Sequence, residues 1–321
     1  MPTVHVTKYN KSMAQYQSDI LIIGSGPAGY TAGIYASRTG KTSFLVSGEE
    51  EGGQLILSND VENFPGFEDA ITGTDLMNKI KKQALNLGVK IINDKIVEVD
   101  FSHYPFECSS QNHNVFYAKS IIIATGASAK WLEIETEEQY KGYGISVCAT
   151  CDGFFYKNKD VAVIGGGNSA LEEALYLANF ARSVTIIHRR ESLRADKRAQ
   201  EKIKQHPKIS VKYDVTVEKF IGEDKNLKGI KIKNVKNDKE EIIKIDGVFI
   251  AIGHKPNTEF LRGEINLDKD GYIITQPNSC KTNIEGVFAC GDVKDPKFRQ
   301  AVIAAGSGAM AAIEATRWLG Q

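Results

Sequence analysis

One architectural element occurs twice in this chain, and the duplication limits its possible folds more than any other feature. The first copy opens on the apolar run Ile20-Leu21-Ile22-Ile23 and passes directly into Gly24-Ser25-Gly26-Pro27-Ala28-Gly29. A small-residue helical stretch, Tyr30 to Arg38, and a short strand, Ser43 to Val46, complete it. The second copy runs Val161-Ala162-Val163-Ile164 into Gly165-Gly166-Gly167-Asn168-Ser169-Ala170. Its helix, Leu171 to Phe180, sets Leu171, Leu175 and Ala178 on one face, and the strand Val184-Thr185-Ile186-Ile187 ends it.

A lone G-x-G-x-x-G is weak evidence, because glycines punctuate many loops. Here each copy lies between a strand and a helix and leads to another strand, the context the motif requires. The first glycine permits a tight turn, the second lets backbone approach a pyrophosphate, and the third position must be small for helix–strand packing. The pyrophosphate then rests on the positive end of the helix. The pattern predicts an α/β chain with two Rossmann-like dinucleotide-binding domains.

The residues after each second strand distinguish the two ligands. After the first come Glu49, Glu50 and Glu51; Glu49 stands 20 residues beyond Gly29, where an acid accepts from a ribose hydroxyl. After the second come His188-Arg189-Arg190, with Arg194 close behind. Guanidinium groups there receive a 2′-phosphate by charge-assisted, bidentate bonding, although a solvated helix start is the plainer reading of Arg189 and Arg190. FAD is therefore expected in the first domain and NADPH in the second.

Two apolar strands that close on glycine turns read as seams: Ser120–Ile123 into Ala124-Thr125-Gly126, and Val248–Ile250 into Ala251-Ile252-Gly253. They bracket the second copy, so residues 127–250 are expected as an NADPH domain inserted in an FAD domain made of 1–126 and 251–321. Between them, Ile230-Lys231-Ile232-Lys233 reads as a half-exposed antiparallel strand, with turn tips at Asn226 and along Lys236–Glu241. Near the C-terminus a short strand, Gly286–Cys290, leads to Gly291-Asp292 and then an alanine-rich helix from about Arg299 to Trp318. Asp292 is a candidate acceptor for a ribityl hydroxyl, and an ordinary turn residue is the alternative. The helix N-terminus favours negative charge on a reduced flavin.

Composition narrows the setting. The 321 residues carry 40 lysines plus arginines against 40 acids, a formal net charge of zero that gives no support for a nucleic-acid or membrane surface. No apolar run approaches the roughly 18 residues of a membrane span. Residues 1–18 contain His5, Lys8 and Lys11 but neither an acid nor an arginine; a frayed terminus is expected, with a transit peptide as the alternative. Five cysteines are too few for a disulfide scaffold, which fits a reducing, cytoplasmic setting.

Cys148-Ala149-Thr150-Cys151-Asp152 lies just ahead of the second domain's first strand. Two-residue spacing lets one thiol attack a disulfide and the other resolve the mixed disulfide. Asp152 cannot stabilise a thiolate, but held protonated by burial it is placed to donate a proton to a leaving one. A zinc half-site, a structural disulfide and a pair of inert thiols are the alternatives. Zinc would need Cys280 and Cys290, which belong to another domain, so no metal is expected. Cys108, Cys280 and Cys290 read as single structural thiols.

From about residue 19 onward these segments, in this order and spacing, resemble the low-molecular-weight, bacterial-type thioredoxin reductases. Gly52-Gly53-Gln54-Leu55, Val61-Glu62-Asn63-Phe64-Pro65-Gly66, Cys148–Gly153, Ala251-Ile252-Gly253-His254, Gly291-Asp292-Val293 and Arg299-Gln300-Ala301 carry the likeness with the two glycine loops. It implies hydride transfer from NADPH to FAD, electron transfer to Cys148–Cys151, then exchange with thioredoxin. Catalytic roles fall to Cys148, Cys151 and Asp152. Expected FAD contacts are Gly24, Gly26, Pro27, Ala28, Gly29, Glu49, Gly52, Gly53, Gln54, Asn63, Gly126, Gly291, Asp292, Arg299, Gln300 and Ala301. Those for NADPH are Gly165, Gly167, Asn168, Ser169, His188, Arg189, Arg190 and Arg194. A homodimer and a rotation between domains are implied as well, with the glycine seams as hinge. Cys290 departs from the pattern, which has a small apolar residue there. Rival expectations are a reductase of another thioredoxin-like or peroxiredoxin-system protein, and a flavin-binding regulatory protein without turnover.

Overall fold

A run of apolar residues buried on both sides organises each half of the protein. The computed structural model describes residues 14–58 and 60–320, and these divide into two compact units. The first unit takes the described residues up to Ile56, then Gly73–Ala127 and the chain from Pro256; the second takes Leu57–Thr72 and Ser128–Lys255.

In the first unit, Ile20 and Ile22 of β1 (Gln15–Ile23) enter one core cluster while Leu21 and Ile23 enter another. A strand covered on both faces has no reason to alternate with polar residues. Each such side chain contributes about 1.5–3 kcal/mol by leaving water. The chain continues through α1 (Pro27–Ser37), β2 (Ser43–Val46), α2 (Gly73–Asn86), β3 (Lys90–Ile92), β4 (Ile96–Asp100), β5 (Phe106–Ser110) and β6 (Val115–Ile123). The sheet order is β3-β2-β1-β6-β5-β4, parallel from β3 to β6 and antiparallel beyond.

The expectation of a frayed end through Ser18 is corrected. Gln15–Ser18 already belong to β1, paired in register with Val115–Ala118 of β6. Tyr16 holds them there, stacked on Phe116 at 4.9 Å and edge-on to Phe44. Residues 1–13 lie outside the described residues.

After β7 (Ala127–Ala129), α3 (Glu137–Tyr140), β8 (Ile145–Ser146) and α4 (Ala149–Asp152), the second copy begins. It comprises β9 (Asp160–Ile164), α5 (Asn168–Leu177), β10 (Ser183–Ile187), α6 (Lys197–Gln205) and β11 (Ile209–Lys212). The antiparallel strands β12 (Val215–Glu223), β13 (Asn226–Asn234) and β14 (Glu240–Lys244) follow, then β15 (Gly247–Ile250) and β16 (His254–Pro256). The order β11-β10-β9-β15-β8 is parallel throughout. As in β1, alternate residues of β9 enter opposite cores: Val161 and Val163 one, Ala162 and Ile164 the other.

The first hairpin tip is Asp224-Lys225, both at positive φ, one residue ahead of the expected Asn226. Glu240 and Glu241 lie in β14 rather than in a turn, where Lys231 and Lys212 pair with them at 2.7 and 2.9 Å.

The chain returns to the first unit through β17 (Val287–Ala289), which pairs with β6, and ends in α7 (Ala301–Leu319). The α/β class with two nucleotide-type folds, the second inserted in the first, is what the duplicated motif predicts. In both sheets the glycine loop follows the central strand where the order reverses, the position at which such folds bind ligands. No described helix is long and apolar enough to cross a membrane.

Candidate active site

The helices α1 and α5 begin inside the glycine motifs, three residues before their apolar periodicity starts. Pro27 opens α1 and Asn168 opens α5, and neither N-terminus carries a side-chain cap among the described residues. By contrast, Asp196 caps α6 through its carboxylate to the Ala199 N–H at 2.8 Å. Uncapped first-turn N–H groups beside a glycine loop form a ready anion seat.

The three motif positions of the first loop separate by geometry. Gly24 has φ +113°, and a Cβ there would lie 2.3 Å from the Ala124 carbonyl oxygen, so the turn admits glycine alone. A Cβ at Gly29 would meet the Gly24 oxygen at 2.0 Å, whereas one at Gly26 would meet nothing within 4 Å. Gly53 approaches the same loop, its own Cβ position 3.3 Å from the Gly26 Cα. Ser25 ties the two loops: its hydroxyl donates to the Ser47 carbonyl at 2.7 Å and accepts from the Gly52 N–H at 2.9 Å.

The acids of the following segment are not equivalent. Glu49 pairs with Lys95 at 3.0 Å, and Glu51 accepts from the buried Tyr30 hydroxyl at 2.9 Å and from Lys81 at 2.8 Å. Helix α7 completes this side by close approach, since a Cβ at Gly308 would lie 2.1 Å from the Ala28 oxygen. Gly291, just before Asp292, also approaches the first loop, its would-be Cβ lying 2.9 Å from the Ala28 Cβ. Burial raises the Asp292 carboxyl to about 6; Asp295 adds to the effect and Arg299 opposes it. Arg299 has φ +49°, a strained conformation just before the N-terminus of α7.

In the second loop, Gly165 is confined by the Ala251 oxygen, 2.4 Å from its would-be Cβ, and Gly167 again faces open space. Ala170 fills the third position fully buried. The buried His188 ring covers Gly166, whose Cβ would lie 2.2 Å from it, and its Nε2 is 3.0 Å from the Ser192 carbonyl oxygen. His188 therefore faces inward, while Arg189, Arg190 and Arg194 are exposed. The Arg194 N–H donates to the Gly166 oxygen at 2.7 Å, which ties that segment to the loop.

Cys148 and Cys151 are joined by a disulfide with Cα atoms 5.3 Å apart. Cys148 is extended and sits just ahead of α4, and its carbonyl accepts from the N–H groups of Cys151 and Asp152 at 3.2 and 3.1 Å. The pair is half-buried and bonded, so the reading as two inert buried thiols does not hold. Burial pushes the Asp152 carboxyl above the usual range; Asp60 adds to the rise, and a hydrogen bond from Ser146 opposes it. Asp60 and Asn63 both belong to the 57–72 segment, which falls in the dithiol's unit.

Cys108, Cys280 and Cys290 are free and fully buried. Burial raises all three thiols, Cys280 to about 11, and leaves them unreactive. Cys280 and Cys290 lie in the core of the first unit, while Cys148 and Cys151 belong to the second.

Two features escaped the sequence reading. Phe154 and Phe155 follow the dithiol at 56% and 38% exposure, an apolar surface beside the reactive group. The doubled aromatic straight after the C-x-x-C was the available signal. Ser146, buried two residues before Cys148, accepts the Cys148 N–H at 3.0 Å, and no motif marks it.

The arrangement defines a class. Over residues 18–308 the chain matches the model of the pyridine nucleotide-disulphide oxidoreductases, and it belongs to that family. Membership carries use of a flavin and a pyridine nucleotide. The chain is 52% identical to a thioredoxin reductase of Rickettsia bellii, over 94% of this chain and 97% of that protein. A protein of Pseudomonas fluorescens named glucosaminate ammonia-lyase is 44% identical over 94% and 96% of the two chains. Among solved structures, thioredoxin reductase from Giardia duodenalis superposes with a TM-score of 0.92 at 38% identity, covering 96% of this chain and 100% of its own. That from Streptococcus pyogenes gives 0.90 at 37% identity, covering 96% and 99%.

Proposed function

We propose that the chain is an NADPH-dependent thioredoxin-disulfide reductase that uses FAD, and the observation that carries this reading is the Cys148–Cys151 disulfide. It lies in the same unit as the second glycine loop and beside a buried acid. The first glycine loop fits FAD, with Gly26 and Gly53 leaving room for a pyrophosphate, the uncapped α1 N-terminus behind it, and Asp292, Gln300 and Ala301 on the α7 side. Of the three acids after β2, Glu49 and Glu51 are held by lysines, so Glu50 is the better candidate for a ribose hydroxyl than the expected Glu49. The second loop fits NADPH, with Arg189, Arg190 and Arg194 as phosphate ligands and His188 as the packing support beneath them.

When bound, the two cofactors supply hydride donation and acceptance. The chain's own residues do the rest. An incoming electron pair breaks the Cys148–Cys151 bond, and two protons complete the dithiol. One thiolate then attacks the protein disulfide, the second resolves the mixed disulfide, and Asp152 protonates the departing sulfur. Exposed Phe154 and Phe155 offer the substrate an apolar platform next to that chemistry. The disulfide has no part in an ammonia-lyase reaction, which favours the reductase reading over the name carried by the Pseudomonas relative.

Two further parts of the proposal concern assembly and setting. Ile303, Met310 and Ile313 expose about two-fifths of their surface along one side of α7, a stripe that suits a homodimer contact. Three free buried thiols suit a reducing cytoplasm. The deciding test is anaerobic addition of NADPH to the flavin-loaded protein. Bleaching of the flavin band is expected, and an oxidised spectrum with FAD bound and NADPH in excess would defeat the proposal.

A further inference from the structure

Glu51 immediately precedes Gly52 and Gly53, which bring a second stretch of chain against the first glycine loop. Tyr30, one residue beyond Gly29, is 1% exposed, so its phenol needs an acceptor inside the fold. It donates to Glu51 at 2.9 Å. Burial, with Glu51 adding, holds the phenol protonated and so keeps it a donor. The bond ties the chain ahead of Gly52 to α1. It also fixes a carboxylate on the segment next to an uncapped helix N-terminus that suits an anion.

The cation that answers this carboxylate comes from α2. A Cβ at Gly52 would lie 3.5 Å from the Met77 Cβ, so the Met77 face of α2 turns towards the segment. Lys81 stands one helical turn along that face, and its ammonium is 2.8 Å from each Glu51 oxygen. Lys79 and Lys82 line a different cleft with Arg38 and Asn86, while Lys95 pairs with Glu49. Among the described residues, Lys81 is the one cation that meets Glu51.

We propose that Lys81 sets how tightly the first loop holds FAD: it cancels the charge of Glu51, so that the carboxylate required by Tyr30 does not repel the cofactor's pyrophosphate. The inference rests on the FAD reading of the first loop. Glu51 and Lys81 act as positioning residues, through charge and through the placement of Gly52 and Gly53. Without Lys81, an unpaired carboxylate would stand on the segment that lines the pyrophosphate seat. Its repulsion would reach across a few ångströms of partly screened space and fade as salt is added.

The test follows FAD release from flavin-loaded protein, by the rise in flavin fluorescence on dilution. At low salt Lys81→Met should release FAD about tenfold faster than the wild type. The gap should close in about 1 M salt, where the Debye length is about 3 Å. Lys81→Arg should behave as the wild type. Glu51→Gln still accepts from Tyr30, so Glu51→Gln combined with Lys81→Met should return release to within about twofold of the wild type. An unchanged rate in Lys81→Met would overturn the inference. So would a faster release that persists in the double variant and at high salt, because Lys81 would then be a strut and not a counter-charge. Failure of the FAD reading shows differently, as a wild type that holds no FAD or a release rate that Gly26→Ala leaves unmoved. Faster release from Gly26→Ala beside an unmoved Lys81→Met would defeat this inference alone.

Discussion

The two glycine loops share a sequence pattern and differ in what surrounds them. The first is clamped on several sides: Gly24 against Ala124, Gly29 against Gly24, and Ala28 against Gly308 of α7. Ser25 fastens it to the next loop, and lysines neutralise two of the three acids that follow. The second loop shares the clamp at its first glycine, Gly165 against Ala251, and is otherwise braced by one buried histidine ring over Gly166 and by the Arg194 backbone. Its third position accepts a methyl group, and three arginines beside it stay exposed. A loop built into the core suits a ligand that stays, and a loop open to solvent suits one that exchanges each cycle.

Glycine substitutions break the comparison most sharply. Gly24→Ala forces a Cβ to 2.3 Å from a backbone oxygen at a positive φ, so a loss of about 4 kcal/mol or more in urea unfolding is expected. Gly26→Ala and Gly167→Ala meet no protein atom within 4 Å. Each should keep near-normal stability and lose affinity only for the dinucleotide of its own unit, as equilibrium binding would reveal. Destabilisation of all three alike would mean the open positions are not ligand seats.

Asp292 sharpens the contrast through pH. Its carboxyl is raised from 3.8 to about 6 in the folded state, so the fold favours the protonated form. That contribution is complete below about pH 4 and is lost as pH rises through 6. Asp292→Asn, neutral throughout, should therefore gain on the wild type by up to about 3 kcal/mol between pH 4 and 7 in flavin-free protein. Parallel stability curves for the two proteins would contradict this.

Smaller effects belong to the second unit. Replacing Arg189 and Arg190 together by alanine should raise KM for NADPH about 10- to 100-fold and leave KM for NADH nearly unchanged. Equal losses with both nucleotides would remove the phosphate role. Phe154→Ala should raise KM for the protein disulfide by roughly tenfold, with flavin bleaching by NADPH unaltered. An unchanged KM would show that the exposed ring is not a docking surface.

Much of this was legible in the sequence for a physical reason. β1 and β9 are buried on both faces, so unbroken apolar runs followed by glycine mark them without ambiguity. The dithiol was legible because its chemistry needs adjacent residues. Helix starts were set three residues late, because α1 and α5 begin within the glycine motifs, before any apolar periodicity can show them. Residues 57–72 were less readable: the stretch has no periodic pattern, and its membership in the dithiol's unit is a matter of tertiary contact alone. Ser146 left no trace for the same reason, since only folding brings its hydroxyl to 3.0 Å from the Cys148 N–H. The inward turn of His188 likewise depends on Gly166, which only coordinates bring beneath its ring.

The central claim is that electrons from NADPH leave this protein through Cys148 and Cys151. An NADPH-coupled assay of thioredoxin disulfide reduction, run on the wild type beside Cys148→Ser and Cys151→Ser, tests it directly. The account predicts steady NADPH consumption by the wild type and at least a thousandfold loss in both variants, the scale of removing an essential nucleophile. Turnover at the wild-type rate in both variants, or none in the wild type, would contradict it.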